Sequence, residues 1–143
     1  MKWRIAAFVC LMLALPLASA ADKGASVSVR DPWIREAPPG MSMMAGYMEL
    51  RNNTPQSQVL VGASSSGFES VMLHRTVVKG GMAGMQHASE VDLTANGSLK
   101  FAPGGYHLML MHPKQTLHVG DSVVITLEFR GGLSLPVTFV VRK

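Results

Sequence analysis

The sequence predicts an all-β fold, a single-domain β-sandwich or Greek-key barrel, and three observations carry that prediction. Short stretches of alternating apolar and polar residues recur along the chain with turn signals between them. Glycine-rich turns punctuate them at Lys79-Gly80-Gly81, Asn96-Gly97, Pro103-Gly104-Gly105 and Gly131-Gly132. No stretch after the first 20 residues forms a useful length of amphipathic helix, and there is no repeat, linker or low-complexity segment.

The elements follow in order. Lys2 and Arg4 precede the apolar run Ile5 to Leu17, and Ala18-Ser19-Ala20 is a small-x-small cleavage pattern, so residues 1–20 read as a secretory signal and 21–143 as the mature domain. The run is too short for a membrane span, and no later segment approaches the ~20 apolar residues needed, so no stable membrane insertion is expected. Cys10 follows Ala7-Phe8-Val9, a poor match to a lipidation site, and leaves with the signal.

Ser26 to Arg30 alternates as a first strand, broken by Asp31-Pro32-Trp33, with Trp33 expected as a core anchor and Pro38-Pro39-Gly40 as a rigid loop. Gly46 to Leu50, Gln58 to Ala63 and Ser70 to Val78 read as strands, and Met82 to Val91 as one irregular strand interrupted at Gly84. Asn96-Gly97 is a hairpin signal, followed by Leu99 to Phe101, Tyr106 to Met111, Ser122 to Arg130 and a closing strand from Leu133 to Val141.

Composition limits what such a domain does. Removing 20 of the 143 residues leaves 123, with 11 basic against 9 acidic residues, and no basic run or aromatic ladder that would track nucleic acid. The only cysteine is Cys10, so the mature domain has no disulfide framework and no thiolate for a blue-copper centre. No nucleophile-elbow or zinc-protease motif is present, and an enzymatic role is not expected. The unusual feature is methionine: nine of the 11 remain after the signal, beside five histidines.

Two stretches arrange these residues in rows. In an extended Tyr106 to Met111, Tyr106, Leu108 and Leu110 share one face while His107, Met109 and Met111 share the other. Val71 to His74 likewise sets Val71 and Leu73 against Met72 and His74. Thioethers are soft, neutral donors suited to Cu(I), whereas Zn(II) prefers thiolate, imidazole and carboxylate, and hard cations take oxygen. Scattered His and Met also simply cover sheets, and both readings stand on pattern alone.

Spacing adds a resemblance. His74, ten residues, Met85, twenty-one residues, then His107-x-Met109 matches HX10MX21HXM, the signature of the periplasmic PCu(A)C copper chaperones. Pro38-Pro39-Gly40, Ala45-Gly46-Tyr47-Met48 with Asn52, Pro103-Gly104-Gly105-Tyr106 and Gly120-Asp121 also resemble that family. The resemblance implies a cupredoxin-like barrel in the periplasm, one Cu(I) on His74, Met85, His107 and Met109, and delivery to an assembling cytochrome oxidase copper centre. The implied acceptor is that oxidase subunit or a Sco-type thiol protein, and a monomeric carrier is expected.

Departures from the pattern set further expectations. Arg75 stands where many members carry Met or Glu, which would place a cation near the site, and Gln86-His87 replace a basic residue and proline. His87 is expected as an exposed loop histidine, with a spare ligand as the alternative, His112 and His118 as solvated histidines, Met82 and Met111 as auxiliary sulfurs of which neither is required, and Met41, Met43 and Met44 as either a thioether patch or a packed loop. Two other functions account for the same residues: a periplasmic copper buffer, and a non-catalytic β-sandwich binding module in which the His/Met rows are incidental.

Overall fold

The computed structural model describes residues 25–143. The signal read at residues 1–20 therefore lies outside the described residues. Ten strands follow one another: β1 (Val27–Arg35), β2 (Met43–Asn52), β3 (Gln58–Ser64), β4 (Phe68–Lys79), β5 (Met82–His87), β6 (Val91–Leu93), β7 (Ser98–Phe101), β8 (Tyr106–Pro113), β9 (Ser122–Phe129) and β10 (Ser134–Arg142). The fold is all-β, with no helix among the described residues, as the turn-punctuated alternation predicts.

All ten strands join one sheet in the order β5-β4-β8-β7-β2-β1-β10-β9-β3-β6, and β8 also pairs with β2. The sheet curls over a shared core. Ile34, Leu50, Leu108 and Leu110 from one half belong to the same buried cluster as Leu60, Ile125, Leu127 and Phe139 from the other, and all eight are 0% exposed. Parallel pairing of β1 with β10, Trp33 opposite Val140 and Arg35 opposite Arg142, joins the halves. Buried Asn52 ties the end of β2 to the β6–β7 connection: its amide donates to the Gln56, Leu93 and Thr94 carbonyls and its oxygen accepts from the Thr54 N–H and hydroxyl.

The structure corrects four local expectations. Asp31-Pro32 does not end β1. The strand bulges between Arg30 and Trp33, with Asp31 at φ 45°, and then resumes. The bulge absorbs a proline that has no N–H for the ladder. Arg142 hydrogen-bonds Asp31 at 2.7 Å and holds that carboxyl below the usual range. Trp33 is consequently half-buried on the outer face against Tyr47, ring centroids 4.7 Å apart, rather than a core anchor.

The expected single strand over Met82 to Val91 is two strands at opposite edges of the sheet, β5 beside β4 and β6 beside β3. Asn96-Gly97 makes a turn, with Asn96 at φ 53°, but not a hairpin: β6 pairs with β3 and β7 with β2. A turn signal specifies a local reversal, whereas the partner of each flanking strand is set by distant apolar faces.

Candidate metal centre

The site begins with the alternation along β8. Leu108 and Leu110 enter the core, so His107, Met109 and Met111 lie on the outer face of the sheet. Register extends that face sideways: His107 stands opposite His74, Met109 opposite Met72, and Met111 opposite Ser70 on β4. On the other flank Met43 stands opposite Met111, and Ala45 opposite Met109. Across the outermost ladder His87 stands opposite His74, and Met85 opposite Thr76. Directly paired residues share a face, so one surface of the sheet carries three imidazoles and five thioethers.

Imidazoles form its ordered part. The His74 ring lies 5.9 Å from that of His107 and 5.7 Å from that of His87, centroid to centroid. His107 is 4% exposed although it points away from the core. Its Nδ1 lies 3.2 Å from the Gly105 carbonyl. Donation of Nδ1–H to that oxygen sets the tautomer and leaves the lone pair on Nε2, the usual arrangement for a metal-binding imidazole. Nε2 of His107 and Nδ1 of His74 are both buried without a hydrogen-bond partner. Buried polar atoms are normally satisfied, so two adjacent orphans point to a group that accepts their lone pairs.

Electrostatics favour the neutral form of His74. Burial, then the neighbouring His107 and His87, hold the His74 pKa below its ordinary value. A neutral imidazole is the ligating form. Among the described residues no three His, Cys, Asp or Glu side chains converge as a metal cage, and the side chains paired beside these imidazoles on the same face include the thioethers of Met72, Met85 and Met109.

The sulfur side is open. Met85, Met109 and Met43 line a cleft of ≈ 370 Å³ together with His107, Tyr47 and Arg35. His74 does not line this cleft and reaches the site through its contact with His107. Met85 is 65% exposed on β5. The Arg35 guanidinium lies 5.8 Å from the Trp33 ring and 5.6 Å from the Tyr47 ring. Sequence reading ended the first strand at Arg30 and so missed this cation. Continued alternation through Trp33 and Arg35 was the signal for it.

Several expectations move. Arg75 is on the opposite face, over the Tyr106 ring at 5.9 Å, and brings no charge to the histidines. Met82, opposite Lys79, also faces away from Met85, so it is no auxiliary sulfur for this set, whereas Met111 is on the right face. Met41, Met43 and Met44 split three ways: Met44 is core, Met43 faces the site, and Met41 is exposed at the rim. His87 is a strand residue in register with His74 rather than a loop histidine. His112 is solvent-exposed as expected, but its Nδ1 sits 3.1 Å from the Glu69 carboxylate.

The fold is that of a curled, ten-stranded all-β domain, and solved structures are similar to this chain. The solution structure of "CuI-DR1885" from Deinococcus radiodurans is 35% identical, with TM-score 0.68, over 87% of this chain and 83% of that one. The "Copper-bound PCuAC domain from PmoF2" shares the fold at 23% identity and TM-score 0.69, over 82% of this chain and 92% of that one.

The family is shown by sequence. The model described as "Putative lipoprotein LpqE-like" matches residues 27–141, and the chain belongs to that family. A relative from Leifsonia xyli subsp. xyli, named "Putative lipoprotein Lxx21020", is 38% identical over 117 residues, 81% of this chain and 69% of the relative.

Proposed function

We propose that this protein is an exported copper chaperone that carries one Cu(I) on His74, Met85, His107 and Met109 and delivers it to an assembling cytochrome oxidase copper centre. The observation that carries the reading is the pair of buried, unpartnered imidazole nitrogens, Nε2 of His107 and Nδ1 of His74, beside a cleft lined by Met85 and Met109. Two neutral nitrogens and two thioether sulfurs form a soft set without charge, which favours Cu(I) over Zn(II) and Cu(II). The 35% identical neighbour is named as a Cu(I) form, which supports the same cargo here. Relatives named as lipoproteins support export.

Exchange chemistry supports delivery rather than storage. A site without thiolate yields copper to an acceptor that offers a charged, softer sulfur. The acceptor is the oxidase copper-centre subunit itself or a Sco-type thiol protein, and no enzymatic step is assigned. A deletion strain is expected to lose oxidase activity in copper-poor medium and regain it with added copper. Full oxidase activity in that strain, with faster death in excess copper, replaces this reading with the buffering one.

Protons report on the same ligands. Imidazole must be neutral to bind, so an ordinary pair loses Cu(I) as pH falls through about 6.5. Because the His74 pKa is lowered, its free base persists into more acidic solution, and this ligand is expected to stay available to copper below that value. The folding linkage has the same direction: a proton binds the unfolded His74 more readily, so its contribution to stability is present above about pH 6.5 and is lost as pH falls. Competition against a Cu(I) chelator at several pH values checks this. A pH response unchanged in the His74→Ala/His107→Ala double variant assigns the metal to other groups.

A further inference from the structure

The three histidines of the outer face form a graded series. His107, on β8, is 4% exposed, His74, on β4, is half-buried, and His87, on the sheet edge, is exposed. They occupy one register line, His107 opposite His74 and His74 opposite His87, so backbone pairing fixes their order. The middle ring is equidistant from the other two to within 0.2 Å, at 5.9 and 5.7 Å. His87 has no part in the ligand set proposed above.

We infer that His87 is the docking ligand through which copper enters and leaves the site. The inference rests on the proposed copper-carrying function. An incoming Cu(I) first binds the His87 lone pair as one bond to the donor molecule breaks. It next gains His74, which already faces His87, and finally His107 with the sulfurs of Met85 and Met109 as the bond to His87 breaks. The remaining bond to the donor molecule breaks as His74 binds, and the bond to His87 breaks as His107 binds, with the neutral thioethers of Met85 and Met109 completing the coordination. Copper stays Cu(I), no electron moves, and the neutral His87 imidazole binds through its lone pair.

The geometry favours this route over direct entry at His107. That ring is buried and its Nδ1 is pinned to the Gly105 carbonyl, so it cannot swing out to meet a donor. His87 lies on an edge strand whose six residues are all exposed, beside the solvent-facing Met85. It is placed to touch a donor or acceptor while the other imidazoles remain covered. A ligand used only in passage changes the height of a barrier, not the depth of the well: it speeds loading and release together.

Stopped-flow transfer of Cu(I) to and from a chromogenic Cu(I) chelator tests the assignment on the full mature chain. His87→Gln is expected to slow acquisition and release alike, about tenfold each, leaving Kd within twofold. His87→Met, which restores a soft donor, is expected to recover most of both rates. His118→Gln, at an exposed histidine that does not line the cleft of Met85 and Met109, is the control and leaves the rates unchanged. Unaltered rates in His87→Gln overturn the inference, as does a tenfold weaker Kd with an unchanged loading rate, which makes His87 a resident ligand. Absence of Cu(I) binding by the unsubstituted chain refutes the underlying function instead, so the two failures are distinguishable.

Discussion

His107→Ala is expected to weaken Cu(I) binding by more than about a hundredfold, since outer-shell partners of a metal ligand alone account for 10–100-fold. The ring is held by strand register on β8 and by the Gly105 carbonyl, and its free nitrogen is buried without a partner. No other described nitrogen has that combination, so no neighbour replaces it. The substitution removes an orphaned polar atom along with the ring, and the protein is expected to unfold cooperatively still. Because the side chain is 4% exposed, some stability is lost through the cavity it leaves, about 1–2 kcal/mol. Chelator competition gives the first effect and urea unfolding the second. Retained Cu(I) affinity in a folded variant removes His107 from the ligand set; loss of cooperative unfolding makes it a structural histidine.

The second large effect separates two neighbours on one strand. Leu110 is 0% exposed in the core, and Met109 faces the cleft. Leu110→Ala deletes buried methyl groups at a site closed by both halves of the sheet and is expected to lower stability by about 2–5 kcal/mol. Provided the variant remains folded at low temperature, its Cu(I) affinity changes little. Met109→Ala is expected to do the converse, with about 1 kcal/mol or less in stability and a large loss of Cu(I) affinity. Urea midpoints and chelator competition on both variants check the pair. Equal destabilisation by the two substitutions contradicts the assignment of opposite faces.

That contrast also shows how much was legible in the sequence. Alternation along Tyr106 to Met111 placed the two rows of β8 correctly because a strand's period is a local property. The all-β class followed from the same kind of signal repeated. What stayed hidden depended on pairing between distant segments. Met82 and Met85 lie three residues apart, yet on β5 an odd separation puts them on opposite faces. Arg75 adjoins His74 in sequence and is removed from it by the same parity. Arg35 joined the site only because a bulge at Asp31 carried β1 past a proline. The partnership of His87 with His74 required β5 to fold back on β4, which the two-glycine turn permits but the histidine itself does not announce.

The edge position of β5 has a mechanical consequence. It hydrogen-bonds to β4 alone, and every residue in it is exposed. Such a strand frays at little cost and should exchange its amide hydrogens quickly, whereas β8, paired on both sides, should exchange slowly. Under the proposed ligand set, one Cu(I) bonded to both Met85 and His107 ties the fraying margin to the rigid centre. Opening the edge then requires surrendering the ion, so loading slows amide exchange along β5 by the free energy of binding. Under that ligand set, empty and loaded forms differ in stiffness along a single exposed ribbon, and amide exchange measured on the two forms reads the difference directly.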